Sequence, residues 1–244
     1  MHRFFADPSA IDEKRIVITG DDVNHISRVL RLKCGDEIEV CDKNNTDYKC
    51  IISEISKTEV LANIIEKEDN KNESSIDITL YQGVPKGEKM DDIVRKCVEL
   101  GVKRIVPVAM KRTVVKVKKP YPKTQRWERI ILEAAKQCKR GIIPSISEPI
   151  SYDEMLSLVS GKDELNILPY ENESKTALKE VLQKNKHLEK INIIIGPEGG
   201  FDDEEIEKAG KSEIFTVTLG PRIMRCETAP IAAVSAVMYE LGDW

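Results

Sequence analysis

Two glycine-rich stretches carry the residues of this chain best suited to chemistry. The first runs from Ile191 to Phe201: Ile191, Ile193, Ile194 and Ile195 around Asn192, then Gly196, Pro197, Glu198, Gly199 and Gly200. β-Branched residues in an unbroken apolar run predict a strand buried on both faces. The glycines after it reach backbone angles closed to other residues and let a ligand approach the main chain. Asp202 with Glu205 has the spacing of a capping box and predicts a helix directly after the turn. Strand, bare loop and helix put the loop at the carboxyl end of a strand, where an open α/β sheet binds small ligands.

Gly-Pro and Gly-Gly pairs are also ordinary turn makers, and on the first stretch alone the two readings balance. The second stretch tips the balance. An apolar strand, Ile214 to Leu219, runs into Gly220, Pro221, Arg222, Ile223, Met224, Arg225, Cys226, Glu227, Thr228 and Ala229. Two successive strands therefore end in glycine loops, with two arginines and a carboxylate on the second. Neither loop has the G-x-G-x-x-G spacing of a dinucleotide site or the Gly-Lys-Ser/Thr of a phosphate loop, so a ligand without phosphates is favoured. Carboxylates such as Glu198 and Glu227 can take up a proton, and Arg225 can hold negative charge that develops in a reaction. Equally, Glu198 can serve only to pin its loop, and Glu227 to cap the helix that follows it.

The elements that must position these loops follow from periodicity. Short strands are predicted at Arg15 to Thr19, Glu37 to Cys41, Tyr48 to Ile55 and Glu59 to Ile65. One helix interrupts them, capped by Asp21, with Val23, Ile26, Val29 and Leu30 as its apolar stripe. A small barrel is the expected packing. Glu66 to Ser75 is polar throughout and reads as a linker with no part in a core. From Ile76 strands and helices alternate, which predicts an α/β domain with a mostly parallel sheet. Its helices are expected from Met90 to Gly101, from Thr124 to Arg140 with Trp127 in the core, after Ser151, which has a capping-box partner in Glu154, after Ser174, and from Ala229 to Leu241. The domain limits are 1–70 and 76–244.

Composition narrows the class. The amino terminus has no apolar run fit for a signal peptide, and no segment approaches a span of about 20 apolar residues. A cytoplasmic protein without a membrane partner is predicted. The six cysteines show no C-x-x-C pairing and read as reduced, and three separated histidines give little support to a metal site. Residues 76–150 carry 17 basic and 8 acidic side chains, against 11 and 16 before them and 10 and 18 after. Lys111, Arg112, Lys116, Lys118, Lys119, Lys123, Arg126, Arg129, Lys136, Lys139 and Arg140 concentrate this charge. Such runs are often just solvated faces, but between acidic flanks this one points to a patch for a polyanion such as RNA.

Taken together, the segments Ile195 to Phe201 and Leu219 to Ala229 closely resemble the RsmE family of 16S ribosomal RNA uridine-N3 methyltransferases, in the SPOUT superfamily. The resemblance runs the length of the chain, through His2-Arg3-Phe4-Phe5, His25, Val29-Leu30-Arg31, Gly35-Asp36, Lys86 to Asp91, Glu99 to Val102, Arg126-Trp127, Ala134-Ala135 and Gln137. Met224 and Cys226 depart from it, standing where leucine and threonine are more usual, as does Cys138 in place of serine.

The resemblance implies a PUA-like β-barrel that holds RNA, followed by a SPOUT α/β domain with a deep trefoil knot, and a homodimer. It implies that S-adenosylmethionine is held by Leu168, Tyr170, Ile195, Gly196, Glu198, Gly199, Gly200, Leu219, Gly220, Ile223, Met224 and Arg225. Arg225, Glu198 and Glu227 become the catalytic candidates. His2, Arg3, Arg28 and Arg31, with Lys111, Arg112, Lys116 and Arg140 from the basic third, become the candidate RNA contacts. The implied activity is N3-methylation of one uridine in 16S rRNA of the small ribosomal subunit, with no metal. A SPOUT ribose 2′-O-methyltransferase acting on tRNA or rRNA, and a non-catalytic RNA-binding assembly factor, are the alternatives.

Overall fold

In the computed structural model, residues 1–117, 120–159 and 163–244 are described. The chain divides into two units, one of residues 1–73 with 135–143, the other of residues 74–134 with 144–244.

The first unit is built on β1 (His2–Phe5), β2 (Arg15–Thr19), β3 (Glu37–Cys41), β4 (Thr46–Ile55) and β5 (Glu59–Asp69). They form one sheet in the order β1-β3-β4-β5-β2, antiparallel except for β1 beside β3. Two register shifts in the β4–β5 pair bend the sheet, as bulges do. Alternation along the strands puts Ile16, Ile18, Ile38, Val40, Ile52, Val60 and Ala62 into one core with Phe4 and Ile26. Helix α1 (Asp21–Asn24) continues into a wider π turn over His25–Val29.

Several expectations change here. β1 has no alternating pattern and gains its identity only from its parallel partner β3. Gly20, not Asp21, caps α1, and Val29 lies outside the apolar stripe at 69 % exposure because the π turn rotates it outward. The polar stretch after Ile65 is not a free linker: β5 runs on to Asp69 against β4, where Lys49 reaches Glu66 at 2.7 Å and Glu68 at 3.7 Å. Beyond it lies a buried polar network. Arg3 pairs with Glu39 and with Asp47 (2.7 Å) and donates to the Arg140 carbonyl (2.8 Å). Asn70 bonds Asp47 (2.7 Å), and Arg140 pairs with Glu73 at 2.8 Å. A buried ion pair holds its place only when such neighbours satisfy the remaining donors and acceptors.

The second unit carries β6 (Asp77–Gly83), α2 (Lys89–Glu99), β7 (Arg104–Ala109) and α3 (Thr124–Gln137), whose last residues group with the first unit. Then come β8 (Ser145–Ile146), β9 (Ile150–Ser151), α4 (Tyr152–Leu158), β10 (Glu164–Pro169), α5 (Leu178–Lys184), β11 (Lys190–Ile195), α6 (Asp203–Gly210), β12 (Phe215–Val217) and α7 (Ala229–Leu241). Every strand pair is parallel, in the order β12-β10-β11-β6-β7-β8, with β9 also on β7. β11 is buried throughout its isoleucines, and its one buried polar residue, Asn192, bonds Asn166 (2.8 Å) and Glu164 (2.7 Å) on β10. Both predicted capping boxes form, Ser151 with Glu154 and Asp202 with Glu205. Trp127 is buried and donates to Asp91 at 3.1 Å. Ser174 does not start α5. Ala177 precedes that helix, and Glu173 folds the approach by accepting the N–H groups of Lys175 (2.7 Å) and Thr176 (3.1 Å).

Candidate active site at the carboxyl ends of the parallel strands

β6 and β11 are neighbours whose following loops lead to α2 and α6, so a crevice opens beyond their carboxyl ends. The Gly196-Pro197 turn drops onto the end of β6: a Cβ on Gly83 would lie 2.5 Å from the Pro197 nitrogen. Gly200 sits at φ +67°, closing the turn with its N–H on the Pro197 carbonyl (3.0 Å). A cavity of about 470 Å³ lies against this turn and against residues 218–227 and 169–171. Its size is that of a small-ligand site.

Of the predicted cofactor residues, Tyr170, Ile195, Gly196, Glu198, Gly199, Gly200, Leu219, Gly220, Ile223, Met224 and Arg225 line this cavity. Leu168 does not; it is fully buried in the core beneath, packed with Ile194 and Phe201. Glu198 and Glu227 both border the cavity, and so does Lys89, which the spacing of the motifs did not single out. The Lys89 ammonium lies 3.1 Å from Glu198 Oε1 and 3.3 Å from Glu227 Oε2, with Cys226 Sγ 3.9 Å away. The Lys86 N–H reaches both oxygens of Glu198, at 3.1 and 3.4 Å. The Cys226 thiol donates to Glu227 Oε2 at 3.2 Å.

These contacts set the charges. Partial burial works to raise Glu198, but N–H groups and Lys89 outweigh it and hold the carboxyl below the usual range. The thiol of Cys226, with Lys89, does the same for Glu227. Burial, then Glu227, pushes Cys226 up to about 12, so it stays a neutral thiol. Glu198 raises Lys89, which stays a cation.

The candidate RNA residues divide. His2, Arg28, Arg31 and Lys116 are exposed, Arg31 with φ 55°. Arg3 and Arg140 are interior members of the buried network, so neither presents its charge to solvent. Lys111 and Arg112 are exposed but engaged. Lys111 reaches Asp202 (3.0 Å) and Glu204 (2.8 Å), and Arg112 donates to the Gly199 carbonyl at 3.2 Å, bracing the glycine turn. Lys118 and Lys119 lie outside the described residues. Among the described residues no group of His, Cys, Asp and Glu gathers as a metal site, and no helix is long and apolar enough to cross a membrane.

The family model of an RNA methyltransferase domain matches residues 72–238, and that of an RNA methyltransferase PUA domain matches residues 18–65. The chain is 34 % identical over 229 residues to the ribosomal RNA small subunit methyltransferase E of Bacillus subtilis, covering 91 % of this chain and 89 % of that one. The chain belongs to the ribosomal RNA small subunit methyltransferase E family. The Aquifex aeolicus member is 31 % identical over 242 residues, 98 % of this chain and 99 % of its own. The crystal structure of the Neisseria gonorrhoeae member bound to S-adenosyl methionine superposes with a TM-score of 0.89 at 30 % identity, over 100 % and 99 % of the two chains. In this family member the α/β fold, with an amino-terminal PUA-like sheet and a parallel-sheet domain, is therefore shared with solved relatives.

Proposed function

We propose that the protein methylates N3 of one uridine in 16S rRNA of the small ribosomal subunit, using S-adenosylmethionine. The observation that carries this is the single cavity border shared by two bare glycine loops and a carboxylate pair, in a chain whose family acts on small-subunit rRNA.

The residues fit the cofactor. Gly196, Gly199 and Gly200 offer main chain without side chains, Ile195, Leu219 and Met224 offer apolar surface, and Glu171, Glu198 and Glu227 supply negative charge that suits a sulfonium. When bound, S-adenosylmethionine supplies an electrophilic methyl group, with sulfur leaving as a neutral thioether. The chain's own task is the nucleophile. Uridine N3 keeps its imide proton at neutral pH, so a base or cationic help should accelerate reaction. Glu198 is engaged on both oxygens by the Lys86 N–H and on Oε1 by the Lys89 ammonium as well, whereas the thiol and ammonium reach Glu227 on Oε2. Glu227 is therefore the acceptor of the N3 proton and Glu198 the carboxylate that fixes the loop. Arg225, exposed on the cavity border, holds the charge that develops on the uracil oxygens.

Unit one, with His2, Arg28 and Arg31 exposed, holds RNA as a PUA-like barrel, while Lys116 adds phosphate contact. The last three strands support a trefoil knot. The chain passes from β10 inward to β11, then outward past β10 to β12, and returns as α7 over β11 and β6. Ile223 at 85 % and Tyr239 at 73 % exposure leave apolar surface on the cofactor loop and on α7, which supports a homodimer through them. The work is done in the cytoplasm.

The test is transfer of labelled methyl to purified small subunits lacking N3-methyluridine, with the product mapped by reverse-transcription arrest and nucleoside mass. One arrest site bearing N3-methyluridine is expected. Label on ribose or on tRNA would overturn the substrate, and no transfer to any RNA would overturn the activity.

A further inference from the structure

Lys89 occupies a place that local rules disfavour. It is the first residue of α2, where the unpaired N–H groups of the helix already present positive charge and a cation is repelled. Asp91 and Asp92 in the same turn follow the rule; Lys89 breaks it. A local rule broken on a cavity border marks a position held for function. What it meets there comes from two remote segments, Glu198 from the loop after β11 and Glu227 from the loop before α7. Both carboxylates reach the same nitrogen. Without that nitrogen, two negative charges would share one small space, and one of them would take up a proton.

We propose that Lys89 is a positioning residue for methyl transfer, a cationic bracket that keeps Glu198 and Glu227 ionised side by side so that Glu227 is free to accept the uridine N3 proton. This rests on the reaction assigned above. In the step, the N3–H electron pair stays on nitrogen for the new N–CH₃ bond and the proton passes to Glu227, which later loses it to water. Lys89 donates hydrogen bonds throughout and gives up no proton. It is unsuited to be the base itself, because Glu198 first and Glu227 after it hold it protonated. The other polar groups around the bracket are accounted for. Cys226 is a neutral donor to Glu227, the Lys86 main chain donates to Glu198, and Glu171, Arg222 and Arg225 stand on the cavity border.

The sign follows. Removing the ammonium raises the carboxylate pKa values, so activity is lost most at low pH and the acidic limb of the pH–rate profile moves up. An opposite charge at this range shifts a carboxyl by about 1–3 units, so a displacement of at least about one unit is expected.

The experiment compares full-length wild type, Lys89→Met and Lys89→Arg in two measurements. The first follows glutamate carboxyl titration by NMR with ¹³C-labelled glutamate, Glu198 and Glu227 being assigned from their Gln variants. Lys89→Met should raise at least one of the two, and Lys89→Arg should return it toward wild type. The second is single-turnover methyl transfer to small subunits from pH 5.5 to 9. Lys89→Met should shift the acidic limb upward, with Lys89→Arg recovering most of the rate. Unmoved titrations, or a loss of rate equal at every pH, would overturn the bracket and leave Lys89 a packing residue. Shifted titrations in an enzyme whose wild type transfers no methyl to uridine would overturn the assigned reaction while the bracket stands. Lys89→Met that fails to fold leaves Lys89→Arg and Lys89→Gln to carry the same titration.

Discussion

Arg225 and Glu227 stand two residues apart on the loop ahead of α7, yet they differ in their surroundings. Glu227 is tied to Lys89 and Cys226, whereas Arg225 is exposed with its guanidinium open to a substrate. Arg225→Ala should therefore lower the rate of methyl transfer by about a hundredfold or more while cofactor affinity stays close to wild type. Isothermal titration beside single-turnover kinetics checks both halves. The cysteines make a second residue-scale case. Burial pushes the Cys41, Cys50 and Cys97 thiols up to about 12, and Cys226 as well, while Cys34 is exposed. Since only thiolate reacts, iodoacetamide on the folded protein should label Cys34 first, with the four buried thiols of Cys41, Cys50, Cys97 and Cys226 protected until unfolding. Peptide mass mapping over time decides it. At this scale the glycine loops and both glutamates were legible in the chain, because each motif is local. Lys89 was not. Its partners lie more than a hundred residues further on, and although it falls within Lys86 to Asp91, one of the segments that carry the family resemblance, nothing there gave it a role.

Elements show the same division between local and remote causes. The capping boxes at Ser151 and Asp202 were readable because four adjacent residues contain the whole interaction, and β11 because burial on both faces writes itself into five successive residues. β1 was invisible because nothing within it alternates, and Ser174 misled because a plausible cap says nothing about competing turns made by Glu173. The contact between β6 and the turn after β11 offers a sharp element-scale prediction. Gly83→Ala places a Cβ 2.5–2.6 Å from Pro197, and backbone on both sides has little room to yield. A loss of about 1–3 kcal/mol is expected, with weakened cofactor binding, because the turn that borders the cavity must lift. Gly210→Ala at the end of α6 is the contrasting control: nothing lies within 4 Å of its Cβ, so stability should rise slightly or hold. Chemical denaturation of the two variants reads the difference directly.

For the whole molecule, charge is the property most changed by folding. The basic third looked like one continuous patch, but much of it is spent internally: Lys111 on α6, Arg126 on Asp91 at 2.5 Å, Lys136 on Asp22 at 2.7 Å and Arg140 on Glu73. Those four are engaged within the fold before any phosphate arrives. RNA affinity should fall with salt, yet with a slope of only about three to five phosphate contacts rather than the ten that the charge count invites. Filter binding across a salt series measures it, and Lys116→Ala should reduce the slope by about one.

The nine residues 135–143 that complete the amino-terminal unit have a further consequence for how the protein is made. During synthesis, the first 73 residues emerge with Arg3 and Glu73 prepared for a partner, Arg140, that the ribosome has not yet joined to the chain. The Arg140 carbonyl arrives only after nearly seventy further residues, so the nascent amino-terminal unit must wait half-finished while its successor begins to fold. A fragment ending at residue 73 should accordingly be soft to protease, and one extended through 143 should acquire a resistant amino-terminal band.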